Sequence, residues 1–281
     1  SELCGGGIRP GGRSGGCSMR WWLEDRALRR VARSLADNSF ALIDEFLADA
    51  EWRALRDYAQ TLYVNGKMRR GIDEQKGNYG GFWGDGNEGD FQNIANEPRR
   101  WALEGDMRSW ASDSDERASA TLRVLTDAKD ALVNKMKALG GAAPAVSSRL
   151  KYVDFREPVM VACYPGDARG KYLRHCDTGR GAALTAILYL NEGWNSEDAG
   201  ELRLYEEGFH NTQVKADIAP LANRLLLFWA TDECPHEVLA TRRDRFAMTT
   251  WYRDGGCFRN RAASENALPR CHLTPLALST E

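Results

Sequence analysis

The chain has 281 residues, 43% of them hydrophobic and nine of them Trp, so it can bury a substantial core in one large domain or two small ones. Its 38 basic and 40 acidic side chains leave a net charge of -2, which excludes an overall basic surface of the kind that binds nucleic acid or an anionic membrane. No run of the sequence approaches the roughly 18 apolar residues that a spanning helix needs.

The first part of the chain predicts helices and long irregular segments. Residues 1–18 are Gly-rich and predict a disordered tail, and residues 258–281 predict an irregular one. Between the tails a single domain is predicted over residues 19–257. It has helical support over about 20–139 and a core of strands over about 147–254.

Two helical faces and one strand are visible before residue 66. The first face consists of Leu28, Val31, Ala32 and Leu35, and the second consists of Trp52, Leu55, Tyr58, Ala59 and Leu62. Residues 40–46 predict a strand between these helices. Residues 112–139 predict a third helix, which the acidic stretch SDSDE opens and Gly140 ends.

Residues 67–96 are rich in Gly, Asn and charge and predict one long surface loop. A loop of this length either closes over a ligand or packs onto the body of the domain. The stretch EPRRWALEGDMR follows, in which acidic residues alternate with arginines. It predicts a solvated face rather than a patch for nucleic acid.

Short β-rich runs replace the helical patterns after Gly140. They are RLKYVDF, VMVACY, ALTAILYLN, GELRLY, TQVKADI, RLLLFWA, HEVLAT and RFAMTTWYR. Turn sequences such as YPGD and NEGWN separate many of them. Because no helical segment intervenes, they predict an antiparallel sandwich, barrel or jelly roll, and the preceding helices make the whole fold α+β.

A metal site is suggested by LRHCDTGRG together with a later histidine. In a strand, His175 and Asp177 face the same side while Cys176 faces the other. Alone, this pair is better explained by a surface or turn-capping role. His236 begins a later strand, and two imidazoles with one carboxylate form the facial triad that leaves three positions of Fe(II) open. Cys234 is a rival ligand, two residues from His236.

Arg245 opens the strand RFAMTTWY, in which Arg245, Ala247, Thr249 and Trp251 share one face. A guanidinium there can hold a carboxylate bidentately at the floor of a pocket lined by the sheet, with Thr249 further in. Taken by itself, Arg245 is better explained as an exposed arginine at the start of a strand.

The seven cysteines are an odd number without a CxxC pair, in a chain too large to need disulfides for stability. Reduced thiols are therefore predicted, and with them a reducing compartment.

Several stretches in order resemble the prolyl 4-hydroxylase superfamily of 2-oxoglutarate- and Fe(II)-dependent dioxygenases, and most of all its cytoplasmic oxygen-sensing, hypoxia-inducible-factor type. They are MVACYPGDARGKYLRHCD, ILYLNEGWN, AGELRLY, LLLFWATDECPHEV and RFAMTTWY. The resemblance is strong from about Met160 to Asp254, weaker from Leu28 to Gly66, and absent from the long loop and both tails. It implies a double-stranded β-helix, or jelly roll, of about eight antiparallel strands with N-terminal supporting helices.

The resemblance also implies roles for single residues. His175, Asp177 and His236 would be the catalytic iron ligands. Arg245, Tyr189, Thr249 and Tyr164 would bind 2-oxoglutarate, with Arg245 on its distal carboxylate. Tyr172, Arg174 and Trp251 would lie near the substrate proline or its peptide. His210 and His272 match nothing in the family and are predicted to be surface residues.

The implied reaction is hydroxylation at C4 of a prolyl residue in a protein substrate. It consumes O2 and 2-oxoglutarate, yields succinate and CO2, and uses ascorbate as a supporting reductant. A cytoplasmic or nuclear monomer without a nucleic-acid or membrane partner is expected. Two alternatives stay open: an oxygenase for another protein side chain or a small molecule, and a non-catalytic jelly-roll binding module.

The chain departs from the family at the turn TGRGAAL, which is shorter. This turn places Ala182 where the family has a basic residue that contacts the substrate, unless Arg180 takes that role. The departure leaves the predicted iron ligands intact and concerns peptide specificity.

Overall fold

The computed structural model describes residues 6–10, 20–70, 107–111, 119–177, 182–208, 210–255 and 274–276. The α-helices within these ranges are α1 (Asp25–Asn38), α2 (Asp49–Val64), α3 (Ala120–Ala138) and α4 (Pro144–Leu150). The strands there are β1 (Phe40–Ile43), β2 (Arg69–Arg70), β3 (Met107–Trp110), β4 (Val153–Arg156), β5 (Met160–Tyr164), β6 (Tyr172–His175), β7 (Ala182–Tyr189), β8 (Leu202–Tyr205), β9 (Val214–Ile218), β10 (Leu225–Trp229), β11 (His236–Val238), β12 (Arg245–Asp254) and β13 (Thr274–Pro275). None of the described helices is both long and apolar enough to cross a membrane.

The described strands form two antiparallel sheets. The larger sheet has the order β1-β10-β7-β12-β5-β3-β2, with β4 beside β12 and β13 beside β4. The smaller sheet has the order β6-β11-β8-β9. This arrangement of two sheets with helices confirms the predicted α+β jelly roll.

The larger sheet is buried on both faces, because helices cover one face and the smaller sheet covers the other. The core on the helix side includes Leu35, Leu125, Leu188, Leu227 and Met248. The core between the sheets includes Ile187, Tyr189, Leu204, Phe228 and Ala247. Alternate residues of β7 and β12 belong to different cores, as the period of two in a strand requires.

The helices form where the apolar periodicity predicts them, except that one helix begins later in the chain than predicted. The predicted apolar face of α1 is buried. The helix α3 starts at Ala120 rather than at residue 112, because Ser119 caps it and its hydroxyl accepts a hydrogen bond from Leu122 N at 3.2 Å. Residues 112–118 lie outside the described ranges.

Three segments predicted to be irregular contain residues with defined backbone pairing. In the N-terminal segment Ile8 N donates to Leu42 O at 2.8 Å, and in the C-terminal segment Thr274 pairs with Arg156. The strand β2 lies inside the predicted loop and pairs with β3. The partner strands are distant in sequence and the paired runs are short, so no local periodicity predicts these pairings. Residues 71–96 of the loop lie outside the described residues, as do residues 1–5, 11–18, 258–273 and 277–281 of the tails.

The stretch EPRRWALEGDMR was predicted to be solvated, and this is wrong for Arg108. Only 8% of Arg108 is exposed. Because β3 pairs with β5, Arg108 lies opposite Ala162 on the larger sheet.

A buried ion pair ties α3 to the larger sheet. Asp130 accepts a hydrogen bond from Arg156 Nε at 3.0 Å and another from the Tyr252 hydroxyl at 2.8 Å. The side chains of Arg156 and Asp130 are only 5% and 10% exposed. Removing one partner of such a buried charge pair is costly, because the other charge then stays buried without compensation.

Asp130→Ala is therefore expected to lower the free energy of unfolding by about 3–5 kcal/mol, because Arg156 loses this carboxylate while staying buried. Urea unfolding followed by circular dichroism measures the change. The matched control is Asp127→Ala, at an exposed position of the same helix, with an expected change below about 0.5 kcal/mol. Equal losses in the two variants would contradict the role given to the pair.

Candidate metal centre

Three side chains from separate points of the chain meet between the two sheets. His175 ends β6, Asp177 follows two residues later, and His236 begins β11. The pairing of His175 with His236 brings their ring centroids to 4.2 Å. One ligand atom from each of the three residues lies within 4.8 Å of the other two. Among the described residues, this is the one group of three or more His, Cys, Asp or Glu side chains that could hold a metal ion.

Each imidazole is oriented by a backbone carbonyl. His175 Nδ1 lies 2.8 Å from Leu173 O, and His236 Nδ1 lies 3.0 Å from Cys234 O. A carbonyl oxygen only accepts, so each Nδ1 carries the hydrogen and each Nε2 keeps its lone pair. Both Nε2 atoms are then available as metal ligands, in the orientation that metal-binding histidines usually have.

The carboxylate of Asp177 is held by Thr185, whose hydroxyl donates to Asp177 Oδ2 at 2.7 Å. Burial alone would raise the pKa of Asp177, but His236, His175 and Thr185 outweigh it and hold that pKa below its usual range. Burial, helped by His175, lowers the pKa of His236 to about 4. At neutral pH the aspartate is therefore ionised and His236 is neutral, which are the states that bind a metal ion.

The rival ligand Cys234 points away from the three side chains. Its thiol donates to Ser39 O at 3.4 Å. Burial raises the pKa of Cys234 to about 12, so it is a protonated thiol at neutral pH. Cys234 is therefore a core residue, and the alternative of a cysteine ligand is wrong.

A β-bulge places Tyr172 beside the histidines. His236 pairs with His175 and Val238 pairs with Tyr172, so three residues of β11 oppose four of β6. The rings of Tyr172 and His175 lie 4.5 Å apart. Arg174 lies elsewhere: its Cζ is 4.7 Å from the ring of Tyr205, and its Nη1 donates to Asn211 O at 2.9 Å. The structure therefore brings Tyr172 to the metal ligands but does not bring Arg174 there.

Arg245 is a buried cation facing two tyrosines. It is 1% exposed, and its Cζ lies 4.9 Å from the ring of Tyr164 and 5.0 Å from that of Tyr189. Its Nε donates to Gly200 O at 2.7 Å. Within the described ranges no protein atom bonds Arg245 Nη2 or Tyr189 Oη, and no carboxylate pairs with Arg245.

A buried guanidinium with one neutral partner is costly unless a ligand completes it. A carboxylate fits, because it accepts from a guanidinium in a fork and from a phenol at the same time. Burial raises the pKa of Tyr189 to about 12 although Arg245 opposes the shift, so the hydroxyl stays protonated and able to donate. The pocket thus suits a carboxylate of a ligand.

The other predicted residues lie on the same inner face. Thr249 is 5% exposed, two residues from Ala247 on β12. Trp251 pairs with Thr185, the residue that holds Asp177. Trp251 and Tyr172 pack against a small apolar cluster formed by Met160, Ala162, Tyr164 and Val238. His210 is exposed, as predicted, while His272 and Arg180 lie outside the described residues.

Sequence reasoning missed Thr185 and Gly200. Thr185 shares a face with Tyr189 on β7, and a polar residue at an inward position of a buried strand is the signal that would have found it. Gly200 has φ of +77°, and a Cβ there would lie 2.8 Å from Thr241 Cβ and 3.3 Å from Arg245 Cδ. No local pattern shows that approach, because Thr241 and Arg245 are distant in sequence.

The candidate site lies between two facing antiparallel sheets. It combines two histidines and one aspartate with a buried arginine that pairs with no carboxylate of the described residues. This set is typical of a mononuclear site of the non-haem iron type. In agreement, residues 159–253 match the family model of the 2OG-Fe(II) oxygenase superfamily. Residues 159–253 are therefore similar to a 2OG-Fe(II) oxygenase domain. That family implies Fe(II), 2-oxoglutarate and O2, and the residues described above fit the first two.

Curated relatives match part of the chain. The mouse protein named prolyl hydroxylase EGLN3 is 44% identical over 106 residues, which are 37% of this chain and 43% of that protein. The Caenorhabditis elegans protein named hypoxia-inducible factor prolyl hydroxylase is 36% identical over 140 residues, which are 48% of this chain and 17% of that protein. The chain thus spans less than half the length of these relatives.

Solved structures resemble the fold over a larger share of the chain than the curated relatives cover. A Trichoplax adhaerens prolyl hydroxylase, solved with a peptide of the hypoxia inducible factor oxygen degradation domain, has a TM-score of 0.64 and 28% identity, covering 88% of this chain and 98% of that one. A Pseudomonas putida prolyl-4-hydroxylase has a TM-score of 0.57 and 24% identity, covering 80% and 98%. The second likeness concerns the fold alone.

His236→Ala is expected to weaken Fe(II) binding by more than about 100-fold, because it removes one of three protein ligands. Anaerobic titration calorimetry with Fe(II) measures the loss. Cys234→Ala is the matched control, two residues away, and is expected to keep the affinity. Weakened binding in the cysteine variant, with normal binding in the histidine variant, would reverse the assignment.

Proposed function

We propose that this protein is a 2-oxoglutarate- and Fe(II)-dependent prolyl 4-hydroxylase of the oxygen-sensing type, acting on proline in a protein substrate. The observation that carries the proposal is Arg245, a buried cation that pairs with no carboxylate of the described residues. It lies on the inner face of the larger sheet, opposite the smaller sheet that carries His175 and His236. The named relatives support prolyl hydroxylation as the reaction.

In this proposal His175, Asp177 and His236 hold the metal. When bound, Fe(II) and 2-oxoglutarate supply the oxidising chemistry, in which O2 is consumed and the cosubstrate leaves as succinate and CO2. The chain orients the ligands through Leu173 O, Cys234 O and the Thr185 hydroxyl. The burial of His236 keeps bulk water away from that side of the centre.

The cosubstrate is held at its distal end by Arg245 and Tyr189. Arg245 makes the charge-assisted bonds, and the Tyr189 hydroxyl donates a further one. Thr249 and Tyr164 complete the walls of this pocket. Gly200 O fixes Arg245 Nε, which leaves the two Nη groups for the carboxylate.

Tyr172 and Trp251 form the substrate end of the pocket in this proposal. Both are partly exposed and pack against the same apolar cluster, next to His175 and Thr185 respectively. A pyrrolidine ring fits between such aromatic faces, because it is apolar and rigid. Placing proline there brings its C4 towards the metal ligands.

The remaining parts of the proposal concern setting and assembly. We propose that the enzyme acts as a monomer in the cytoplasm or nucleus, with ascorbate as its supporting reductant. One chain supplies the three metal ligands and the Arg245 pocket, which supports a monomer. No disulfide joins Cys163, Cys176 and Cys234 within the described part of the chain, which suits a reducing compartment.

Arg245→Ala is expected to weaken 2-oxoglutarate binding by about 100-fold or more, because it removes one partner of a buried charge pair. Fe(II) affinity should stay nearly unchanged. The charge-transfer absorption of the anaerobic complex with Fe(II) and 2-oxoglutarate measures the affinity without turnover. The control is Arg243→Ala, two residues earlier, whose guanidinium bonds Glu192 O instead.

Gly200→Ala is a second variant that leaves the guanidinium in place. Its methyl group would crowd Arg245 Cδ and Thr241, so the affinity for 2-oxoglutarate should fall here too. An unchanged cosubstrate affinity in both variants would overturn the role of Arg245.

Mass spectrometry of proline-containing candidate peptides, incubated with Fe(II), 2-oxoglutarate and ascorbate, tests the reaction itself. One added oxygen on proline, matched by succinate, is expected, and His175→Ala should abolish both products. Succinate without hydroxyproline would favour another substrate, and no charge-transfer band would favour a non-catalytic binding module.

A further inference from the structure

The turn before β8 has a backbone conformation that its sequence does not favour. Ala199 has φ of +52° and ψ of −153°, close to a region that is almost reserved for glycine. Gly200 follows with φ of +77°, so two successive residues have positive φ. A residue other than glycine keeps such a conformation only where its surroundings hold it there. The contacts of Ala199 therefore need an explanation.

Trp194 holds this turn through its indole. Its Nε1 donates a hydrogen bond to Ala199 O at 3.0 Å, and only 7% of the residue is exposed. Because a peptide unit is planar, fixing Ala199 O also fixes the direction of Gly200 N. Trp194 thus determines how the backbone enters Gly200, whose carbonyl is the partner of Arg245.

The segment before β12 confines the turn from another direction. Ala199 pairs with Thr241 in an isolated antiparallel bridge, and Arg242 N donates to Asp198 O at 2.8 Å. Thr241 is fully buried, and a Cβ at Gly200 would lie 2.8 Å from Thr241 Cβ. The turn is therefore held both by the indole and by this segment.

This arrangement presents Gly200 O to Arg245, whose Nε donates to it at 2.7 Å. Arg245 is 1% exposed, and its Nη2 has no hydrogen-bond partner among the described residues. If Gly200 O turned away, the guanidinium would lose this neutral partner while staying buried, which is costly. The bond to Nε instead leaves both Nη groups for the pocket that Tyr164 and Tyr189 line.

We propose that Trp194 is a positioning residue for the cosubstrate pocket: its indole holds Ala199 in the strained conformation that presents Gly200 O to Arg245. This inference rests on the proposed function, because it takes a carboxylate of 2-oxoglutarate as the ligand of Arg245. Trp194 acts through two backbone carbonyls rather than by touching the ligand. The carboxylate then meets a guanidinium that is already oriented, which lowers the entropic cost of binding.

Arg243 also contacts Trp194, but through an exposed group. Its Cζ lies 4.5 Å from the indole ring, and 40% of its side chain is exposed. Exposed contacts of this kind are weak, because water competes for the cation. Arg243→Ala is therefore expected to leave the indole hydrogen bond and the cosubstrate affinity in place.

Trp194→Phe removes the indole N–H and keeps an aromatic ring. The affinity for 2-oxoglutarate should fall about fivefold, the usual effect of losing one hydrogen bond, while the affinity for Fe(II) stays unchanged. The charge-transfer absorption of the anaerobic complex measures the first affinity, and titration calorimetry measures the second.

Trp229→Phe is the matched control. Trp229 Nε1 also donates to a backbone carbonyl at 3.0 Å, that of Leu35, but on the helix side of the larger sheet. This variant should keep both affinities. An unchanged cosubstrate affinity in Trp194→Phe, or an equal fall in the control, would overturn the proposal.

Ala199→Gly tests the strain. Glycine adopts this conformation without a steric penalty, so the single variant should bind 2-oxoglutarate as the parent chain does. Combined with Trp194→Phe, it should restore most of the lost affinity, because the turn no longer needs the indole to hold it. A tryptophan with a merely structural role would show no such rescue. The same loss with alanine and with glycine at this position would contradict the proposal.

Hydrogen exchange separates this inference from the proposed function. Mass spectrometry of the protein without ligands follows the amides of residues 199–202 and needs no cosubstrate. If the parent chain forms no charge-transfer complex, the proposed function fails, and exchange decides the positioning role. Faster exchange in Trp194→Phe that Ala199→Gly reverses supports this role, and equal exchange in all variants overturns it.

Discussion

The side chains of β12 point alternately into two different environments, and the geometry of the whole site depends on this alternation. Phe246, Met248 and Tyr252 pack into the helix-side core, while Arg245 and Ala247 face the smaller sheet. A shift of one residue in register would put the guanidinium against the helices and an apolar side chain into the pocket. The apolar contacts with the helices therefore help to determine which side of the sheet Arg245 faces.

The site gathers around this strand because its neighbours repeat the alternation. On β7, Thr185 and Tyr189 face inwards, one towards Asp177 and the other towards Arg245. The two residues are four apart in sequence, so they lie roughly 13 Å apart along the strand. The spacing of β7 thus sets the distance between the Asp177 end of the pocket and its Arg245 end, and a rigid sheet keeps that distance constant.

The sequence predicts most of the fold because long apolar runs with clear periods form it. The sequence also predicts correctly which residues of β12 face inwards, because side chains alternate between the two faces of a strand with a period of two residues. The alternation of a regular strand does not place Tyr172 beside His175, because a bulge where β6 pairs with β11 brings these two residues together. The sequence misses the burial of Arg108, because that depends on the pairing of β3 with β5. Both features depend on pairing over long sequence distances, which no local pattern records.

The contrast among the buried arginines argues for a ligand at Arg245. Arg156 pairs with Asp130, Arg224 with Asp44, and Arg253 with Glu157. Each of these is a buried cation with its own carboxylate, which is how a fold stabilises such a charge. Arg245 is as buried as they are, yet within the described residues it bonds only the neutral oxygen of Gly200. A structural arginine takes its anion from the same chain, whereas a binding arginine receives it from a ligand, and the surroundings of Arg245 match the second kind.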